Sequence, residues 1–157
     1  MGLRKLLLTF LACIAAFIAT AANTTIRDIN ITYILTPEGH ARVTEVWDVS
    51  AKNITEWYLV KSNMGSAVSI TDLAVSDENG LNFINEGEWD IDRSIKQKAG
   101  KCGIVHKGVN DYELCWGIGS YGDHIFTVKY TINNFVLSME DYDAIHFQFI
   151  SPDLSSA

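Results

Sequence analysis

Val43-Thr44-Glu45-Val46-Trp47-Asp48-Val49, VTEVWDV, sets Val43, Glu45, Trp47 and Val49 on one side of an extended chain and Thr44, Val46 and Asp48 on the other. Such a period of two is the pattern of a strand with one buried face. The single charge on that apolar side is Glu45. A twist or bulge that turns Glu45 to water is the expectation. Were it buried instead, desolvation would make it a site candidate unless Arg42, Arg93 or a tyrosine hydroxyl satisfied it.

Outward from this stretch the same period recurs. Ile29, Ile31, Tyr33 and Leu35 form one face of a preceding strand, and Thr36-Pro37-Glu38-Gly39 supplies proline and glycine where a type I turn prefers them. Further strands are predicted over residues 41–49, 55–61, 68–75, 81–91, 102–106, 112–118, 124–132 and 144–150, with Asp77-Glu78-Asn79-Gly80 as a tight turn. Ser94 to Ala99 is the one short helical turn. The expected fold is an all-β sandwich of short antiparallel strands, with an open barrel as the alternative.

Composition agrees with one folded unit: the chain has 157 residues, of which 48% are hydrophobic and 20% charged. Residues 1–22 read as a signal peptide, from the basic MGLRK, the apolar LLLTFLACIAAFIATA and the small residues Ala19 and Ala21. An uncleaved anchor or a lipid on Cys13 are the alternatives. Residues 23–157 are then the exported domain, and the end at SPDLSSA soon after a strand suggests a longer protein. Without Arg4 and Lys5 the formal charge moves from −7 to −9. Nucleic acid is excluded as a partner, because the remaining cations form no stripe to neutralise phosphates. Lys96, Lys98 and Lys101 are expected to solvate a connection between strands.

If Cys102 faces Cys115, then His106 faces Asp111 and residues 107–110 close a four-residue loop. A disulfide across this hairpin is therefore expected in an oxidising compartment. Two cysteines with no paired histidine do not complete a metal site. Gly117-Ile118-Gly119-Ser120-Tyr121-Gly122 fits GxGxxG, yet a strand rather than a helix follows, so no dinucleotide site and no cofactor is inferred. His40, His106, His124 and His146 lack metal-ligand spacing.

Asn85-Glu86-Gly87-Glu88-Trp89-Asp90-Ile91-Asp92 places Glu86, Glu88, Asp90 and Asp92 at every second position. Carboxylates two residues apart on a strand, about 6.6 Å, repel by only ~0.6 kcal/mol in water. A wet acidic row with Trp89 and Ile91 packed inward is the expectation, and it needs no calcium ion. These four acids and Glu45 are the candidate functional residues.

Several segments in order resemble the bacterial predicted membrane proteins classed as domain of unknown function 2207: PEGHARVTE (37–45), TEWYLV (55–60), EGEWDIDR (86–93), KCGIV (101–105), ELCWG (113–117), and YGDH (121–124) with VKYT (128–131). The resemblance spans most of residues 24–157. It implies a membrane-anchored protein with this domain outside the cytoplasmic membrane, and it supplies no catalytic residues. Three functions are carried forward. One is a non-catalytic interaction or assembly module in the cell envelope with an unknown protein or envelope partner. Another is a glycan hydrolase using paired carboxylates. The third is a structural component that pairs through a strand edge.

Overall fold

The computed structural model describes residues 24–108, 111–147 and 149. The signal peptide and Cys13 lie outside them, as does part of the strand expected over 144–150. Among the described residues ten strands follow one another: β1 (Thr25–Leu35), β2 (Ala41–Ala51), β3 (Glu56–Lys61), β4 (Ser69–Ser76), β5 (Ile84–Glu88), β6 (Lys101–His106), β7 (Tyr112–Gly117), β8 (Gly122–Asn133), β9 (Leu137–Ser138) and β10 (Asp143–Ala144). One helical turn, α1 (Ile95–Lys98), stands between β5 and β6, and the side chain of Gln97 accepts from both the Ser94 amide and hydroxyl before it.

The strands form two four-stranded sheets, ordered β1-β2-β8-β4 and β3-β7-β6-β5, with β9 and β10 as a separate ribbon. This is a β-sandwich. Its core lies between the sheets, where Trp47, Val49, Ile70, Phe126, Val128 and Ile132 from one meet Trp57, Leu59, Cys102, Leu114 and Trp116 from the other. Alternation explains each contribution, since β2 buries residues 41, 43, 45, 47, 49 and 51 and β8 buries 126, 128, 130 and 132. In β4 the inward residues Ile70 and Leu73 are three apart. A bulge there, with Asp72 at φ 58°, absorbs the extra residue and returns Leu73 to the core.

The cysteine pairing requires correction. Cys102 lies opposite Trp116, and Cys115 opposite Gly103, one residue away from the expected register. Both cysteines are free. The apolar pattern decides this: the observed register sets Cys102 beside Trp116 and Ile104 beside Leu114 on the core face. The disulfide register would have placed Leu114 opposite Gly103. A slip of one residue sends the two thiols to opposite faces of the sheet, where no disulfide can reach. The turn accordingly holds five residues, with the Lys107 amide donating to the Asp111 carbonyl at 2.9 Å.

The connection from β5 to β6 is a second departure. β5 pairs with β6 in parallel, so the intervening chain must cross over the sheet. It does so on the outer face, against glycines. A Cβ on Gly103 would meet the Gly87 carbonyl oxygen at 3.1 Å and the Trp89 backbone at 3.3 Å. At Gly117 it would collide with the Lys98 backbone. The glycine of the apparent GxGxxG pattern thus lets a helical turn lie flat on β7.

Burial pushes the Cys102 thiol up to about 11 and, with the charges of Glu113 and Glu56 adding to it, the Cys115 thiol up to about 12. The folded state keeps these protons at pH values where an unfolded thiol, at about 9, has lost its own. Stability should therefore fall as pH rises from about 9 through 11 and 12. At pH 8 an aromatic disulfide reagent should leave Cys102 and Cys115 unmodified in the native protein and label both once guanidinium is added. Failure to label both in denaturant would restore the disulfide.

Candidate functional site

Glu45 is the centre of a polar cluster inside the sandwich. Its side chain is 0% exposed, so the expectation that it turns to water is corrected. No twist or bulge intervenes, because β2 pairs with β8 without a break from Ala41 to Ala51. Three donors meet the carboxylate: Lys61 Nζ reaches Oε1 at 2.9 Å, the Tyr130 hydroxyl donates to the same oxygen, and Trp47 Nε1 donates to Oε2 at 2.9 Å.

Each donor follows from strand geometry. Trp47 is the next inward residue along β2. Tyr130 stands opposite Val43 on the neighbouring β8, one inward position away from Glu45. Lys61 comes from the other sheet, where Trp57, Leu59 and Lys61 are the inward residues of β3. The ion pair therefore bridges the two sheets. Lys61 is 6% exposed, and its Nζ also lies 5.6 Å from the centre of the Tyr130 ring. Burial, and then the charge of Glu45, pushes the Tyr130 and Tyr33 phenols up, so both stay protonated. The Tyr33 hydroxyl is buried without a well-formed hydrogen bond, next to that of Tyr130.

Glu86, Glu88, Asp90 and Asp92 are all exposed, as the alternation implied. They do not form a straight row. Gly87 adopts φ +77° and shifts the β5 register, and β5 ends at Glu88. Asp90 and Asp92 lie in the turn beyond, where the Asp92 amide donates to Asp90 Oδ1 at 2.9 Å. The Trp89/Ile91 pairing needs correction for the same reason. Trp89 is buried on the outer face of the second sheet with the Arg93 guanidinium 5.0 Å from its ring centre, whereas Ile91 is 53% exposed. Lys101 and Arg93 hold Glu86, and their hydrogen bonds draw its carboxyl below the usual range.

Lys98 was expected in solvent and is instead 1% exposed. The crossover seats it on β7, where its ammonium meets Glu56, Thr55 Oγ1 at 2.9 Å and the Ile91 carbonyl oxygen at 2.7 Å. The histidines do not gather. His40 Nδ1 accepts from the Asn134 amide, His124 lies by the Ser120 carbonyl and Glu78, and His106 packs on Tyr112. Among the described residues no three His, Cys, Asp or Glu side chains are grouped to hold a metal ion.

Sequence reasoning named Glu45 and allowed it a tyrosine hydroxyl, but missed Lys61. A signal was there: Lys61 sits two and four residues from Leu59 and Trp57, on the apolar side of its strand, as Glu45 does on β2. Two opposite charges on inward faces find each other across a sandwich.

Comparison with protein-family models, with curated proteins and with solved structures gives no match to this chain.

Replacing Lys61 leaves the Glu45 carboxylate buried without its counter-charge. Lys61→Met should lower the unfolding free energy by roughly 3–5 kcal/mol, read from the denaturant midpoint at constant slope. A change below about 1 kcal/mol, the range of exposed pairs, would mean that Glu45 reaches water.

Proposed function

We propose that this chain is the extracytoplasmic β-sandwich part of a membrane-anchored bacterial protein and serves as a non-catalytic interaction or assembly module. The observation that carries this reading is the state of Glu45. It is the one candidate acid placed beside aromatic rings inside the fold, and three protein donors occupy it where no substrate reaches. The other four candidates spread over an exposed strand end and turn. A glycan hydrolase needs two carboxylates facing each other across a scissile bond. Neither set offers that arrangement.

Export and anchoring rest on the N-terminal signal pattern and on the resemblance to the domain of unknown function 2207 proteins. Among the described residues no helix is long and apolar enough to cross a membrane.

For assembly, the feature to use is the free side of β1. Among the described residues this eleven-residue strand pairs with β2 alone within its sheet, and Ile34 near its end is 60% exposed. Long edges of this kind accept another strand. A photo-crosslinker at Ile34 in the membrane-anchored protein should capture a specific envelope partner, and Ile34→Lys should reduce association with that partner at least tenfold without moving the unfolding midpoint. Release of sugar from envelope glycans by the purified chain, abolished by Glu86→Gln or Glu88→Gln, would overturn the non-catalytic reading.

A further inference from the structure

We propose that Asn30 is an asparagine-glycosylation acceptor, which carries on the outer face of β1 a glycan delivered from a polyprenyl diphosphate. The site rests on the export proposed above, because donors of this class are handed over outside the cytoplasmic membrane. Asn30-Ile31-Thr32 is an Asn-x-Thr triplet without proline, the pattern in which a hydroxyl two residues on positions the acceptor amide. Triplets of this kind are common, and the fold supplies what distinguishes this one. Asp28, Asn30 and Thr32 alternate along β1, so all three side chains leave the sheet on its outer face, and all three are exposed. The neighbouring Arg27 pairs with Asp48 and Asp123 rather than with Asp28. Among the described residues β1 has a strand on one side only, so an enzyme can approach the triplet from the face and from the edge.

A second triplet, Asn53-Ile54-Thr55, lacks this setting. Asn53 stands at φ 58° between β2 and β3, and Thr55 Oγ1 is already engaged by the Lys98 ammonium at 2.9 Å and by Glu56. Ala51 takes the place that Asp28 has before Asn30. A third, Asn23-Thr24-Thr25, begins outside the described residues. In the transfer Asn30 Nδ2 attacks the anomeric carbon of the donor. A C–N bond replaces the C–O bond to the diphosphate, Nδ2 gives up one proton, and the polyprenyl diphosphate leaves with the electron pair, so nothing is oxidised or reduced. Thr32 positions the amide, and Asp28, about 6.6 Å away along the strand, offers a carboxylate to a basic group of the transferase. The glycan then stands over Val46, which faces Asn30 from β2, and leaves the in-plane edge of β1 open.

The test has two arms. The full-length chain is expressed in a bacterium that has an asparagine-directed oligosaccharyltransferase and its polyprenyl-diphosphate glycan, and the purified chain is incubated with the same enzyme and donor in detergent. After denaturation trypsin releases residues 28–42 and 53–61 as two peptides with one asparagine each. Peptide 28–42 should gain the mass of the glycan in both arms, at an occupancy at least tenfold that of peptide 53–61. Asn30→Gln and Thr32→Ala should abolish the gain, Thr32→Ser should keep it, and Asp28→Ala should lower occupancy at least tenfold. A bare peptide 28–42 in the detergent arm overturns the proposal, as do equal occupancy of the two peptides and a gain that persists in Thr32→Ala. Modification in detergent, with a bare cellular chain that still carries residues 1–22, supports the acceptor site and contradicts the export reading. A bare cellular chain that has lost residues 1–22 overturns the site in the exported protein.

Discussion

A charged pair between two sheets is the constraint to which the core of this sandwich answers. Glu45 and Lys61 sit where their strands would ordinarily place a valine or leucine, and each has little access to water. Desolvating two ions is expensive, and their attraction offsets this only when geometry is fixed and the remaining oxygen positions are satisfied. Trp47 and Tyr130 provide that satisfaction. The arrangement holds only when β2, β8 and β3 are in one register relative to one another. A slip of one residue in β2 would turn Glu45 outward and leave Lys61 facing an apolar wall. Apolar pairs tolerate such slips more readily, so the buried pair selects the alignment of the two sheets as well as contributing to their cohesion.

The outer face of the second sheet obeys a different rule, close approach. A parallel neighbour for β6 demands a crossover, and the chain between β5 and β6 makes it with a single helical turn laid against the sheet. Gly103 and Gly117 remove the side chains that would hold it away. Trp89 and Lys98 then cover the strands, with Lys98 finding Glu56 and Thr55 beneath it. Cys115 becomes buried on this side although it points away from the core, and that burial, with the charges of Glu113 and Glu56 adding to it, makes its thiol resistant to ionisation.

Much of this was legible in the residues, and what was not has identifiable causes. Strict alternation in 41–49 and 124–132 announces β2 and β8, because strands paired on both sides must keep their pleat. The fold class follows from the number of such segments. Cys102 and Cys115 misled because a hairpin register was read from two residues, whereas the burial of Leu114 and Trp116 fixes it. Ile91 misled because Gly87 looks like one more member of an alternating series; its positive φ ends that series. Glu45 was recognised as anomalous on an apolar face, and the missing step was to look for the matching anomaly, Lys61, on a strand of the opposite sheet. Lys98 carried no local signal, since its burial depends on a glycine nineteen positions later in β7.

The central claim is that Glu45 is enclosed and bonded within a dry core rather than poised at a site. The indole N–H of Trp47 reports on it directly, because that proton is held by Glu45 Oε2. Hydrogen exchange followed by NMR should show the Trp47 indole proton exchanging only through global unfolding, with a protection free energy equal to the stability measured by denaturant. Exchange within minutes under native conditions, while β2 and β8 amides remain protected, would show that water reaches Glu45 and would contradict the account.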